Sequence, residues 1–183
     1  MSVEMKVAIR KAHPEDAPAV GAMFRRATAH SRYLRFFSNS PVGPELEVHR
    51  IEDGRPLVAV VAIDTGDTGD AGVDHIIGLA TCDVTGGAGD LAVFVEDGWQ
   101  GQGLGNRLSR TLMREAMAAG IESVSAHILW DNPASLHMMR RAFPDARVEA
   151  DHGEYVIGPV RTLRRHGANT MAVKGQAGEP AAA

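Results

Sequence analysis

Leu104, Leu108, Leu112, Ala116 and Ala119 recur at the spacing of one helical face, while Arg107, Arg110 and Arg114 lie away from it. Gly120 supplies the stop. The period then changes. From Glu122 to Leu129, Val124, Ala126 and Ile128 alternate with Ser123, Ser125 and His127, which predicts a strand with one apolar and one polar face. Before the helix, Asp90 to Val95 reads as another strand, so the two strands and the helix between them predict a parallel βαβ unit. Upstream the links are shorter. His75 to Val84 leads through Gly86-Gly87 into Asp90 to Val95, an antiparallel hairpin by its turn. Leu57 to Ile63 is apolar at every position and predicts a strand covered on both faces.

The ends of the chain read less sharply. Met5 to Ile9 predicts a first strand, and His13-Pro14-Glu15-Asp16 opens a helix with Val20, Met23, Phe24 and Ala27 inward. A short helix is expected over Ser31 to Phe37, broken by Pro41-Val42-Gly43-Pro44, with a further turn or two over Glu45 to Ile51. Asp64 to Asp74 is a turn-rich loop. Asp131-Asn132-Pro133 begins a helix through Arg141 with Leu136, Met139 and Ala142 inward, and Arg147 to Ile157 gives one or two closing strands. Early strands joined by turns and later ones joined by helices predict an α/β (α+β) fold. Its mixed sheet has helices on both faces.

Length and composition narrow the class. At 183 residues one domain is expected, over 1–166, with residues 167–183, rich in Gly, Ala and Pro, as a disordered tail. A formal net charge of −4 gives no general electrostatic grip on nucleic acid or an anionic membrane. The single cysteine, Cys82, cannot form an intramolecular disulfide, and the N-terminus has no apolar leader, so a cytoplasmic location is expected. Cys82 lies in an apolar strand and reads as a small core residue.

The chemistry concentrates where strand meets helix, at Trp99-Gln100-Gly101-Gln102-Gly103-Leu104-Gly105-Asn106. Three alternating glycines leave one side of this loop bare, so an anion can approach the unpaired amides of the helix that follows. A pyrophosphate site built from Gly101 to Asn106 is inferred. The dinucleotide pattern G-x-G-x-x-G fails, because counting from Gly101 its last position is Asn106. A nucleoside triphosphate loop fails as well, because no Gly-Lys-Ser or Gly-Lys-Thr occurs.

What remains, Gln100-x-x-Gly103-x-Gly105 between a strand and a helix, resembles the acyl-CoA signature of the GNAT superfamily of N-acetyltransferases. Element order extends the resemblance over roughly Val7 to Tyr155. It implies the GNAT acyl-CoA N-acyltransferase fold, with a mostly antiparallel sheet of about six or seven strands. It implies acetyl-CoA as donor, no metal, and transfer to a primary amine by direct attack in a ternary complex. The backbone of Val93, Phe94 and Val95 would pair with the pantetheine arm. Gln100, Gly101, Gln102, Gly103, Leu104, Gly105 and Asn106 would hold the pyrophosphate, and Asn132 would contact the coenzyme arm, a role compatible with capping its helix. A bulge of the family's kind within Val93 to Val95 would free a main-chain N–H for the thioester carbonyl.

More narrowly, Ser31 to Phe37 and Gly89-Asp90-Leu91-Ala92-Val93 leading into Asp97-Gly98-Trp99-Gln100-Gly101 look like the GNAT domain of bacterial Pat-type protein-lysine acetyltransferases. That likeness implies a protein lysine as acceptor, with a small-molecule amine as alternative, and puts Tyr33, Arg35 and Phe37 along the acceptor site. It also implies Asp90 as the base, although the family has Glu there. Asp90 reads equally as the end of the Gly86-to-Gly89 turn. Many relatives carry a proton-donating Tyr seven residues after the Asn; here that position is Met139. These two departures keep open a third reading, an acyl-CoA-binding sensor without turnover. Monomer and homodimer are both compatible with the sequence. His127 reads as a satisfied sheet histidine rather than a base, and Trp99 as a packing anchor beneath the loop.

Overall fold

The strands Val7–Lys11 (β1), Leu57–Asp64 (β2), His75–Thr85 (β3), Ala88–Val95 (β4), Ser123–Leu129 (β5), Val148–Asp151 (β6) and Glu154–Arg161 (β7) form one sheet in the order β1-β2-β3-β4-β5-β7-β6. The computed structural model describes residues 6–55, 57–66 and 74–161. The expected tail over 167–183 and the middle of the 64–74 loop lie outside the described residues. All neighbours pair antiparallel except β4 and β5, which run parallel. Gly86 and Gly87 both have positive φ, 58° and 84°, giving the two-residue hairpin turn that right-handed strand twist favours.

The helices are Ala17–Arg26 (α1), Ala29–Phe36 (α2), Val42–Glu52 (α3), Leu104–Ala118 (α4) and Pro133–Ala142 (α5). The unbroken apolar run of β2 is explained by cover on both faces. Val60 and Ala62 join the core cluster that holds Leu104, Leu108, Leu112 and Ala116 of α4, while Val61 and Ile63 join the cluster that holds Val20, Met23 and Phe24 of α1. In β5 the alternation holds, with Val124, Ala126 and Ile128 buried on the α4 side. α1 and α4 thus cover opposite faces of the sheet with the apolar stripes read from their sequences.

Several boundaries differ from expectation. The proline pair does not break the chain before Glu45: α3 starts at Val42, and Pro44 lies in its first turn, where the missing N–H is no loss. The second helix is Ala29–Phe36; Phe37 follows it as a left-handed C-cap at φ 55°. Ala119 falls just past α4 and is exposed, so the apolar stripe ends at Ala116. The register of β3 with β4 runs without interruption from Thr85↔Ala88 to Gly78↔Val95, so no bulge lies within Val93 to Val95. No helix among the described residues is long and apolar enough to cross a membrane.

Candidate active site

The parallel ladder between β4 and β5 contains only three pairs, Ala88↔Ser123, Gly89↔Val124 and Asp90↔Ser125. Beyond Asp90 the two strands diverge, and β5 continues with β7 as its remaining neighbour. The sheet therefore opens into a fork with Asp90 at its apex. Glu96 N–H donates to Ile77 O at 2.9 Å, which sets the phase of the β3–β4 ladder. By alternation the main-chain groups of Ala92 and Phe94 address β3, and those of Leu91, Val93 and Val95 face the gap. The open edge from Leu91 to Val95 is about 16 Å long at the usual rise per residue. An extended chain can add to such an edge as a further strand.

Phe94 takes the other role open to a strand residue. Its ring is buried in the α1-side core, edge-on to Phe24 with centroids 5.1 Å apart. The Val95 carbonyl accepts from Gln100 Nε2 at 2.9 Å, leaving the N–H and C=O of Val93 as the free pair in the middle of the gap.

At the far end of the gap, a short 3-10 turn over Asp97–Trp99 leads into the glycine loop, and Trp99 packs on the main core as an anchor. Gln100 ties the loop to the end of β4, and Gln102 Nε2 donates back to Gly98 O at 3.1 Å. With both glutamine side chains so occupied, the main chain of the loop stays uncovered. Gly101 and Gly103 have φ of 73° and 80°, in the left-handed region where a side chain is strained, and a Cβ on either would meet nothing within 4 Å. Gly105 differs. Its Cβ would stand 3.5 Å from Met138 Cγ of α5, an ordinary van der Waals contact, and its φ is not in the left-handed region.

The first helical bond of this turn is Arg107 N–H to Gly103 O at 3.2 Å. Among the described residues no protein acceptor takes the amides of Gly101 through Asn106. Six amides at a helix N-terminus, with the dipole behind them, form a main-chain anion cradle. Leu104 contributes only its amide, because its side chain is fully buried. Asn106 Oδ1 is buried without a partner. Across the gap, Asn132 is buried and caps α5, its Oδ1 accepting from Ser135 N–H at 3.1 Å.

Asp90 lies on the sheet face that carries α1 to α3. Burial pushes its carboxyl above the usual range; His127 and Arg35 oppose the shift, while Asp83 and Glu154 add to it. Beneath it Arg50 of α3 pairs with Asp83, the residue opposite Asp90 in the ladder. Arg35 turns inward: Nη2 donates to Glu47 Oε1 at 3.2 Å and to Thr81 Oγ1 at 3.1 Å, and the guanidinium stands 4.9 Å over the Phe36 ring. Desolvation lowers the Arg35 pKa, and Glu47, Asp83 and Asp90 oppose that. Its Nη2 is committed to the protein, and its Nε is buried without a hydrogen-bond partner. Tyr33 is half-buried on α2, and the Phe37 ring is exposed at the helix end. Met139 is buried in the core where an α5 tyrosine would stand, and the chain's two tyrosines lie in α2 and β7.

One part of the site was not read from sequence. Thr28 N–H and Oγ1 and Ser31 Oγ all donate to the Asp97 carboxylate, at 3.0, 2.9 and 2.6 Å. Desolvation raises the Asp97 pKa, but these bonds together overcome it and hold the carboxyl below its usual range. The cluster fastens the N-terminus of α2 to the turn before the glycine loop, so the two share one anchor. The Thr28-x-x-Ser31 spacing of an N-cap was the available signal, with Thr28 Oγ1 accepting from Ser31 N–H.

Among the described residues no group of three or more His, Cys, Asp or Glu could hold a metal ion. No curated protein sequence matches the chain. Solved structures do. The GNAT domain of PAT from S. lividans is 20% identical with a TM-score of 0.67, over 82% of this chain and 88% of that one. YncA, a putative acetyltransferase from Salmonella typhimurium solved with acetyl-CoA, is 17% identical with a TM-score of 0.66, over 90% and 99%. Spermidine N-acetyltransferase from Vibrio cholerae, in complex with CoA and spermine, is 14% identical with a TM-score of 0.60, over 84% and 94%. At these identities the likeness is one of fold. A sequence model of the acetyltransferase (GNAT) family matches residues 26–143, well over half the chain, including α2, the glycine loop and the β4–β5 fork. On that match the chain belongs to the GNAT acetyltransferase family.

Proposed function

We propose that this acetyl-CoA-dependent N-acetyltransferase acts on a lysine side chain of a protein acceptor, by direct attack in a ternary complex. The observation that carries the reading is the fork: a free main-chain edge runs from an anion cradle at one end to a desolvated carboxyl at the other. The cradle suits a diphosphate, the free groups of Val93 suit an amide-bearing arm, and the apex is where a thioester at the end of that arm would meet an amine. Asn132 at the start of α5 flanks the same gap.

A lysine-like ammonium with a pKa near 10.4 is neutral in roughly one part per thousand at pH 7. Asp90 draws it in and accepts its proton, directly or through one water; the desolvation that raises its pKa makes it a stronger base than a solvated Asp. The amine lone pair then attacks the thioester carbonyl. The C–S bond breaks with its electrons on sulfur, a leaving group stable enough to depart without a proton donor at Met139.

A protein acceptor is favoured by exposed apolar side chains on the α2–α3 segment, Phe37 just after α2 and Val42 and Leu46 on α3. A small polyamine is the second reading, favoured by the carboxylates Asp90 and Glu154 beside the fork. Incubating a cell extract with the protein and isotope-labelled acetyl-CoA, followed by mass spectrometry, decides between them. Labelled lysines in proteins support the lead reading and a labelled metabolite the second. Absence of acceptor-dependent thiol release across an amine panel overturns both and leaves a sensor.

A further inference from the structure

The polar face of β5 carries a titratable pair that the reaction above leaves unused. His127 Nδ1 lies 2.9 Å from Glu154 Oε1. An ionised Glu154 can only accept, so Nδ1 carries a proton, and in the neutral ring the lone pair is on Nε2. The burial alternation of β5 puts Ser123, Ser125 and His127 on one face, away from the α4-side core. Ser125 is the register partner of Asp90, so that face is also the face of Asp90. His127 is the next residue along it, about 7 Å past the apex. Here β4 has already diverged. Asp90 at the apex and His127 on the β5 arm therefore address the same opening.

The His127 side chain is 42% exposed, which leaves it within reach of an incoming amine. Glu154 on β7 is its direct partner; the charged groups acting on Asp90 are His127, Glu154, Arg35 of α2 and Asp83 on β3, which pairs with Arg50 of α3. After desolvation, His127 is the largest influence on the Asp90 carboxyl, a sign that the two are close enough to act together.

We propose that His127 is a second general base of the acetyl transfer, its Nε2 taking a proton from the acceptor amine while Glu154 holds the ring in the Nδ1–H tautomer. This rests on the amine acetyltransferase reading. The acceptor ammonium sheds two protons overall. The first N–H bond breaks as Asp90 accepts the proton and Nε2 takes it over, giving an imidazolium between the carboxylates Glu154 and Asp90, and that proton later returns to solvent. The freed lone pair forms the N–C bond. The second proton leaves the adduct nitrogen as the C–S bond breaks, and it ends on the departing thiolate.

The test is amine-dependent release of CoA thiol by wild type, His127→Gln, His127→Asn and Glu154→Gln, with acetyl-CoA affinity measured on each. A blocked lysine peptide and spermidine serve as basic acceptors, and trifluoroethylamine as a weakly basic one. At pH 7 both His127 variants are expected to lose about 10²-fold in kcat/KM on the basic acceptors. The loss should shrink on trifluoroethylamine, which needs no base, and above the pKa of the lysine amine. Added imidazole should restore part of it. Glu154→Gln, which still accepts from Nδ1–H, should lose less. Unchanged rates in the His127 variants would overturn the proposal; so would a loss equal for all amines at all pH values. A wild-type protein silent with every amine would overturn the acetyl-transfer reading itself, and this proposal with it.

Discussion

Gly103 and Gly105 are two residues apart in the same motif, yet the structure gives them different work, and alanine at each separates the two. At Gly103 the backbone has φ of 80°, and an added Cβ meets nothing within 4 Å. The cost of Gly103→Ala is therefore conformational, about 1–2 kcal/mol for forcing an L-residue into the left-handed region. That cost must appear somewhere between the unfolded chain and the liganded protein. If the free loop keeps its shape, it lowers stability; if the loop relaxes, it weakens binding, by roughly 5- to 30-fold in Kd when all of it falls there. Any contact between the new methyl and a bound diphosphate adds to the binding share. At Gly105 the φ is ordinary and the Cβ would sit 3.5 Å from Met138 Cγ, a normal van der Waals distance, so Gly105→Ala should change neither quantity by more than about 0.5 kcal/mol. Isothermal titration of acetyl-CoA together with urea unfolding of both variants measures the sum. Equal losses at 103 and 105, or no loss at 103 in either measurement, would refute the argument that the main-chain shape of this loop makes the site.

Three further outcomes follow from named contacts. Asp90→Asn should lower kcat/KM by about 10²-fold without changing acetyl-CoA affinity. Because the folded-state pKa of Asp90 is raised, its ionised form costs stability at neutral pH. The Asn variant should thus melt higher than wild type at pH 7, and its advantage should fade as pH drops, vanishing below about pH 4, the unfolded carboxyl value; an unchanged or lower melting temperature at pH 7 would contradict this. Gly89→Ala would place a Cβ 2.3 Å from Cys82 Sγ and 3.2 Å from Val124 Cγ1, at the base of the fork. A loss of about 1–3 kcal/mol in urea unfolding is expected, with Cys82→Ala in the same chain recovering part of it as a non-additive pair. Arg35→Met leaves Glu47, 5% exposed, without its ion pair, and should cost about 3–5 kcal/mol. Adding Glu47→Leu should return most of that loss, and strict additivity of the two changes would exclude a coupled buried pair.

The elements with a strong period were legible in the sequence. Val124, Ala126 and Ile128, the leucine stripe of α4 and the Gly86-Gly87 turn each fix local geometry by themselves, and each is where it was expected. The bare main chain of the loop at Gly101 and Gly103 was legible for the same reason, since its shape depends on glycines close together in sequence. Pro44 misled because proline is excluded from helix interiors but welcome in a first turn, and only tertiary packing of Val48 and Ile51 decides which turn it occupies. The fork was beyond reach of periodicity. Where β4 and β5 part is set by how two segments some thirty residues apart lie in the sheet. The direction of Arg35 was hidden likewise: its partners Glu47 and Thr81 come from α3 and β3, and nothing near it in sequence shows that it turns inward. Asp97 was overlooked because its partners lie 66 and 69 positions away.

The three-pair ladder between β4 and β5 has a mechanical consequence. Everything after α4 is stitched to the rest of the sheet by a seam shorter than any other between neighbouring strands, so the molecule resembles two leaves of a book sharing a narrow spine. A donor lying along that crease would bond to one leaf and press against the other, acting as a clasp. Deuterium uptake in the amides of β5 and β7 should consequently slow when donor is added, even though neither strand contributes to the diphosphate cradle.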